Sequence, residues 1–270
     1  MRHPAGITVA MCKGLGAIAA GLVPSPSIDT AATIRVDSLA DTTGAGDGAC
    51  TLREAITNAN ADSDTSGGDC AAGSGEDTIT FSVSGTVTLG ATLSPITAPE
   101  ALTIDGTGQV VLISGNHAVR VLVVDSRLTL RQLTIANGND SREGGGILNR
   151  GTLTVTNSTI SDNLTGRDGG GIFRGSSPTS TAMLRNTIVA NNSPVGRNCF
   201  TIPGGIQNGG YNLANDASCG FGTATGATGQ TLGDNVDPRL APQGLQSNGG
   251  PTQYHPGDVA GHRSLRADGG

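Results

Sequence analysis

The sequence predicts an all-β protein, a right-handed parallel β-helix closed at its amino-terminal end by a short helix. Three observations carry this. First, Leu128-Thr-Leu-Arg-Gln-Leu-Thr-Ile135-Ala-Asn137 returns as Leu153-Thr-Val-Thr-Asn-Ser-Thr-Ile160-Ser-Asp162, with a third version at Leu184-Arg-Asn-Thr-Ile188-Val-Ala-Asn191. Second, the triple glycines Gly144–Gly146 and Gly169–Gly171 fall at the same phase of the first two copies, which are 25 residues apart throughout. A fixed period of that size marks a stacked repeat. Third, the chain has 43 glycines, no Trp, two Tyr and four Phe in 270 residues. Large rings that normally anchor a core are therefore scarce, and small aliphatics in thin layers must replace them.

Each copy divides into three short strands. In Leu128-Thr-Leu130 and Leu153-Thr-Val155 the apolar residues share one face, because side chains alternate along a strand. Leu133-Thr-Ile135 and Ser158-Thr-Ile160 follow a bend, and the glycines lead into Ile147-Leu148 and Ile172-Phe173. Three strands per 25 residues, with Gly and Asn at corners that need positive φ, describe one turn of the helix. Successive turns stack about 4.8 Å apart, so Ile135, Ile160 and Ile188 are expected to form an internal ladder. Asn137, Asp162 and Asn191 are expected to form a polar ladder at one corner. Asp77-Thr-Ile-Thr-Phe81, Thr86–Leu89, Leu102–Asp105, Val110–Ile113 and Val121–Val124 fit earlier, less regular turns, for about six in all. A β-sandwich also has short strands at intervals, but would not repeat its residues in register.

Both ends of a solenoid expose unpaired backbone and need covers. Cys50-Thr-Leu-Arg-Glu-Ala-Ile56 fits that role. Thr51 and Glu54 have capping-box spacing, and Leu52, Ala55, Ile56 and Ala59 form one helical stripe. Arg53 and Glu54 read as surface and capping residues. The organisation expected is an export signal over 1–32, an amino-terminal cap over 33–75, regular turns over 76–200, and carboxy-terminal turns and loops over 201–255. Arg2, Lys13, the apolar run Gly14–Val23 and the small residues after Thr30 carry the signal reading. Lys13 is the only lysine, so its removal leaves a chain whose cations are all Arg.

Apart from Cys12 the cysteines are Cys50, Cys70, Cys199 and Cys219, which allow three pairings. Two local structural disulfides, Cys50–Cys70 and Cys199–Cys219, are expected at opposite ends of the repeats. No Cys-x-x-Cys pair offers zinc-ligand spacing, and neither a metal nor another cofactor is expected. The net charge of −6 argues against nucleic acid. No stretch after the signal is long and apolar enough to span a bilayer.

The segment Cys50–Ile56 resembles the signature of the CSLREA domain found at the head of exported bacterial proteins. Asp77–Phe81, Leu102-Thr-Ile-Asp-Gly106 and Gly144-Gly-Gly-Ile-Leu-Asn149 are similar to its β-helix. Gly210-Tyr-Asn-Leu213, Ser218-Cys-Gly-Phe221, Asp237-Pro238 and Asn248-Gly-Gly-Pro-Thr-Gln253 are similar to the tail of that group. The Gly-Gly-Gly-Ile turns also resemble the repeats of polymorphic outer-membrane proteins. This resemblance implies an exported or surface protein and supplies no catalytic residues. Such proteins usually continue past the position of His255 with Gly-Ser-Pro-Ala-Ile-Asp. Here Pro256–Gly270 departs, and reading its gene one base later permits a similar ending, so 256–270 is expected to be a frameshifted, non-native tail.

An enzyme of pectate-lyase-like type is the alternative. It would need clustered calcium-binding acids with a basic proton acceptor, or carboxylates at a working separation. The nearest acids are Asp105, Asp125, Asp140, Glu143, Asp162 and Asp168; Arg131 and Arg185 are the nearest bases. His117 stands alone, expected in a loop, and Gly261-His-Arg263 lies in the doubtful tail. No catalytic residue is assigned and no binding residue is identified. The expectation is a monomeric structural or adhesive protein whose partners are surface glycans or matrix.

Overall fold

The computed structural model describes residues 30–175, 179–192, 197–201, 205–226, 229 and 231–238. The greater part of the expected signal, Cys12, Lys13, Gly261-His-Arg263 and the tail beyond Pro256 lie outside the described residues. The chain winds as a β-solenoid of about five turns whose strands pair in parallel from one turn to the next.

The longest wall is a seven-stranded sheet. It runs through Thr33–Val36, Thr78–Phe81, Ala101–Asp105, Arg127–Arg131, Thr152–Thr156, Thr181–Arg185 and Gln207–Asn208. A second wall contains Gly85–Thr88, Val111–Ser114, Thr134–Ala136, Thr159–Ser161, Ile188–Ala190 and Leu213–Ala214. It finishes in the hairpin Thr223–Thr225 and Thr231–Gly233, which pairs antiparallel. The third wall has four strands, Leu122–Val124, Ile147–Asn149, Ile172–Arg174 and Cys199–Phe200. Alternation decides what enters the core. In Arg127–Arg131 and Thr152–Thr156 the Leu and Val positions are buried while Arg and Thr face outward.

Between the first two copies the register is the one expected, with Leu128 opposite Leu153 and Ile135 opposite Ile160. The third copy needs correction. Leu153 meets Ala182, Val155 meets Leu184, and Ile160 meets Val189, so Ile188 stands in the Thr134–Thr159 row. The turn from Thr152 to Thr181 is 29 residues long, four more than its predecessor, with the extra chain placed before the strand. The internal ladder is therefore Ile135, Ile160 and Val189, all fully buried. The turn count also falls short of six. The segment from Thr33 to Thr78, which pair directly, carries the helical cap and its disulfide loop where the later turns run straight from wall to wall.

The helix Leu52–Ala61 has the expected capping box. Thr51 Oγ1 accepts from the Glu54 backbone N–H, and the Glu54 carboxylate accepts from the Thr51 N–H at 3.0 Å. Leu52, Ala55, Ile56 and Ala59 are buried, and the helix packs against the first two strands of the seven-stranded sheet. Arg53 is not a simple surface residue. Its side chain is 12% exposed and forms an ion pair with Asp41 at 2.8 Å, while donating to the carbonyls of Ala91 and Thr92. The disulfides Cys50–Cys70 and Cys199–Cys219 are both present, each closing a separation of 20 residues.

Candidate functional site

The interior is filled by buried apolar rows, so the outward rows and the corners are the places to look for chemistry. The six candidate acids are distributed over several corners and one wall. Asp105 is on the outer face of the seven-stranded sheet and Asp125 lies at the corner leading into that sheet. Asp162 occupies the corner after Thr159–Ser161, with φ 57°. Asp140 ends the short strand Asn139–Asp140, which pairs in parallel with Leu164–Thr165, and Glu143 and Asp168 lie in the corner that follows these two strands.

Five of these acids face an arginine of the neighbouring turn. Asp105 meets Arg131 at 3.7 Å, Asp125 meets Arg150 at 3.3 Å, Glu143 meets Arg167 at 3.9 Å and Asp168 meets Arg197 at 3.6 Å. Asp140 meets Arg120 at 2.9 Å. Arg120 also donates to the carbonyls of Glu143 and Gly144, and burial lowers its proton affinity, an effect that Asp140 opposes. Around this corner three carboxylates are thus matched one to one with three arginines. This arrangement neutralises charge between stacked turns. It does not gather bare carboxylates around a space for calcium, and among the described residues no group of three His, Cys, Asp or Glu side chains converges to hold a metal.

The two bases considered for a lyase do not join the acids in a common cleft. Arg131 is already paired with Asp105, and Arg185 is an exposed residue at the end of Thr181–Arg185. His117 lies in an exposed turn at φ 54°, its backbone N–H donating to the Asn137 carbonyl.

The corner ladder of Asn137, Asp162 and Asn191 adopts the left-handed conformation at all three positions, φ 55°, 57° and 58°. Beside it runs a second, internal ladder that the sequence reading did not single out. Asn163, Asn192 and Asn198 are buried, and their side chains stack. Asn163 Nδ2 donates to the Ile135 carbonyl and to Asn192 Oδ1, and Asn192 Nδ2 donates to the Ile160 carbonyl and to Asn198 Oδ1. The doublets Asp162-Asn163 and Asn191-Asn192 were the available signal.

The triple glycines serve two purposes. Gly144 and Gly169 have φ near +65°, whereas Gly145 and Gly146 provide room. A Cβ on Gly145 would run into the Leu164 carbonyl, and one on Gly146 would lie 2.6 Å from the Gly171 carbonyl oxygen. Nearby, the rings of Phe173 and Phe200 stack at 4.9 Å, with the Arg197 guanidinium 6.0 Å from the Phe200 centroid.

The outer face of the seven-stranded sheet is the most regular surface. One outward row consists of Thr33, Thr78, Thr103, Thr129 and Thr154, in direct cross-strand register, and continues as Met183 and Gln207. Sequence reasoning followed the buried half of this alternation and passed over its outward half. Among the described residues, no helix is long and apolar enough to cross a membrane. Compared with protein families, with characterised proteins and with solved structures, the chain matches none of them.

Proposed function

We propose that the protein is an exported or cell-surface β-helix with a structural or adhesive role, acting through the outward rows of its turns. The observation that carries this reading is the pairing of five of the six candidate acids with arginines of adjacent turns. A carboxylate whose charge is already met by an arginine of the next turn is poorly placed to bind calcium or to share a proton. Two disulfides fit an oxidising compartment, and the resemblance of Cys50–Ile56 to the head of exported bacterial proteins agrees. The likeness to polymorphic outer-membrane repeats supports a surface location.

Expression of the full chain in a diderm bacterium, followed by fractionation and protease treatment of intact cells, tests this. The expected product lacks Lys13, is found outside the cytoplasm and carries both disulfides without added oxidant. A full-length, reduced protein confined to the cytoplasm would refute the reading.

A further inference from the structure

The threonine row has chemistry that the stability of the rod does not require. None of the side-chain hydroxyls of Thr33, Thr78, Thr103, Thr129 and Thr154 has a hydrogen-bond partner among the described residues. Each therefore offers a donor and two acceptor sites outward, repeated about every 4.8 Å along the solenoid axis. Arginines flank the row on both sides. Arg127 precedes it on one side, and Arg35, Arg131 and Arg185 follow it two residues further along their strands. All four are exposed; Arg131 already faces Asp105, and the exposed Glu76 lies two residues before Thr78, so Arg35, Arg127 and Arg185 are the arginines the face offers to a ligand. A chain of net charge −6 thus carries a face on which four arginines outnumber two acids, Glu76 and Asp105.

A ligand for this face must repeat along the rod axis, carry negative charge and use hydroxyl contacts. A peptide strand would need a free sheet edge for backbone pairing, whereas this row lies on the flat of the sheet. Single-stranded nucleic acid binds through bases stacked on aromatic side chains, and these rows contain no aromatic ring. Neutral glycans also favour aromatic platforms. An extended acidic glycan advances by a similar step per sugar ring and presents hydroxyls and carboxylates alternately to such a surface.

We propose that the outward face of the seven-stranded sheet binds an extended acidic polysaccharide laid along the solenoid axis, with hydroxyls on the threonine row and carboxylates on the flanking arginines. This rests on the adhesive reading above and names its ligand class.

The test is calorimetric titration of the full chain with oligogalacturonate, a neutral β-glucan oligomer of equal length and a single-stranded oligonucleotide. The proposal expects oligogalacturonate to bind selectively and to weaken with added salt, because the contacts are exposed. The double variant Arg127→Ser/Arg185→Ser should weaken binding by about tenfold, the combined effect of two exposed charge contacts. Thr129→Val/Thr154→Val should weaken it severalfold without lowering the melting temperature, since valine suits a strand. Arg142→Ser, exposed and away from this face, should leave binding unchanged. Equal binding of the neutral glucan or the oligonucleotide, or an equal loss in Arg142→Ser, would overturn the proposal. Absence of all binding would overturn it as well. Adhesion of the same preparation to cells or matrix, measured in parallel, decides the adhesive reading separately.

Discussion

Asn192 shows how a single residue holds two turns together. Its Oδ1 accepts from the Asn163 backbone N–H at 3.1 Å and from Asn163 Nδ2 at 2.9 Å, and its own Nδ2 donates to Ile160 and Asn198. It is 3% exposed, so water does not readily replace these bonds. Asn192→Ala strands several buried donors and acceptors at once, at about 1–3 kcal/mol for each unsatisfied group. A loss of about 3 kcal/mol is expected in urea unfolding, against less than 1 kcal/mol for the exposed Asn191→Gly, which keeps the positive φ of that corner without strain. Equal effects at the two positions would mean that the ladder is ornamental. At this scale the sequence was partly legible. Asn137, Asp162 and Asn191 could be placed at corners because only some residues tolerate positive φ. Asn163 and Asn192 could not be placed, because a polar residue one step from a corner reads as solvent-facing until its backbone partners are known.

At the scale of elements, the cap is held by more than its capping box. Arg53 links the helix to Asp41 and to the carbonyls of Ala91 and Thr92, joining three segments far apart in sequence. Both charged side chains are largely buried, 12% and 10% exposed. Removing one partner of such a pair leaves the other uncompensated, which costs about 3 kcal/mol or more. Arg53→Ala should therefore destabilise the protein by about that amount, and Asp41→Asn/Arg53→Ala should recover part of it in a double-mutant cycle. Additive losses would show that the pair is not coupled. The helix itself was legible because a capping box and an amphipathic stripe are local signals. The role of Arg53 was not, since it depends on contacts 12 and 39 residues away. The third turn was misaligned for a related reason. Four residues inserted before Thr181 shift every following position, so Ala182 and not Leu184 stands opposite Leu153, and Val189 and not Ile188 stands opposite Ile160.

The molecule as a whole is a β-solenoid whose interior is made of small aliphatic rows and buried asparagines, and whose seven-stranded wall turns threonine and arginine outward. Repetition explains why the architecture was legible: once one turn is read correctly, stacking dictates its neighbours. It also explains why function was less so. Buried rows announce themselves through alternating apolar residues, whereas the pairing of Asp105, Asp125, Asp140, Glu143 and Asp168 with arginines of other turns appears only after the turns are superposed. The central claim is that those acids face arginines of adjacent turns and do not form a calcium site. Its most direct test is incubation of the purified protein with polyuronates, with and without added calcium, while following the ultraviolet absorbance of unsaturated uronides. The account predicts no release under either condition. Calcium-dependent release that is abolished by Asp105→Ala or Asp125→Ala would contradict it.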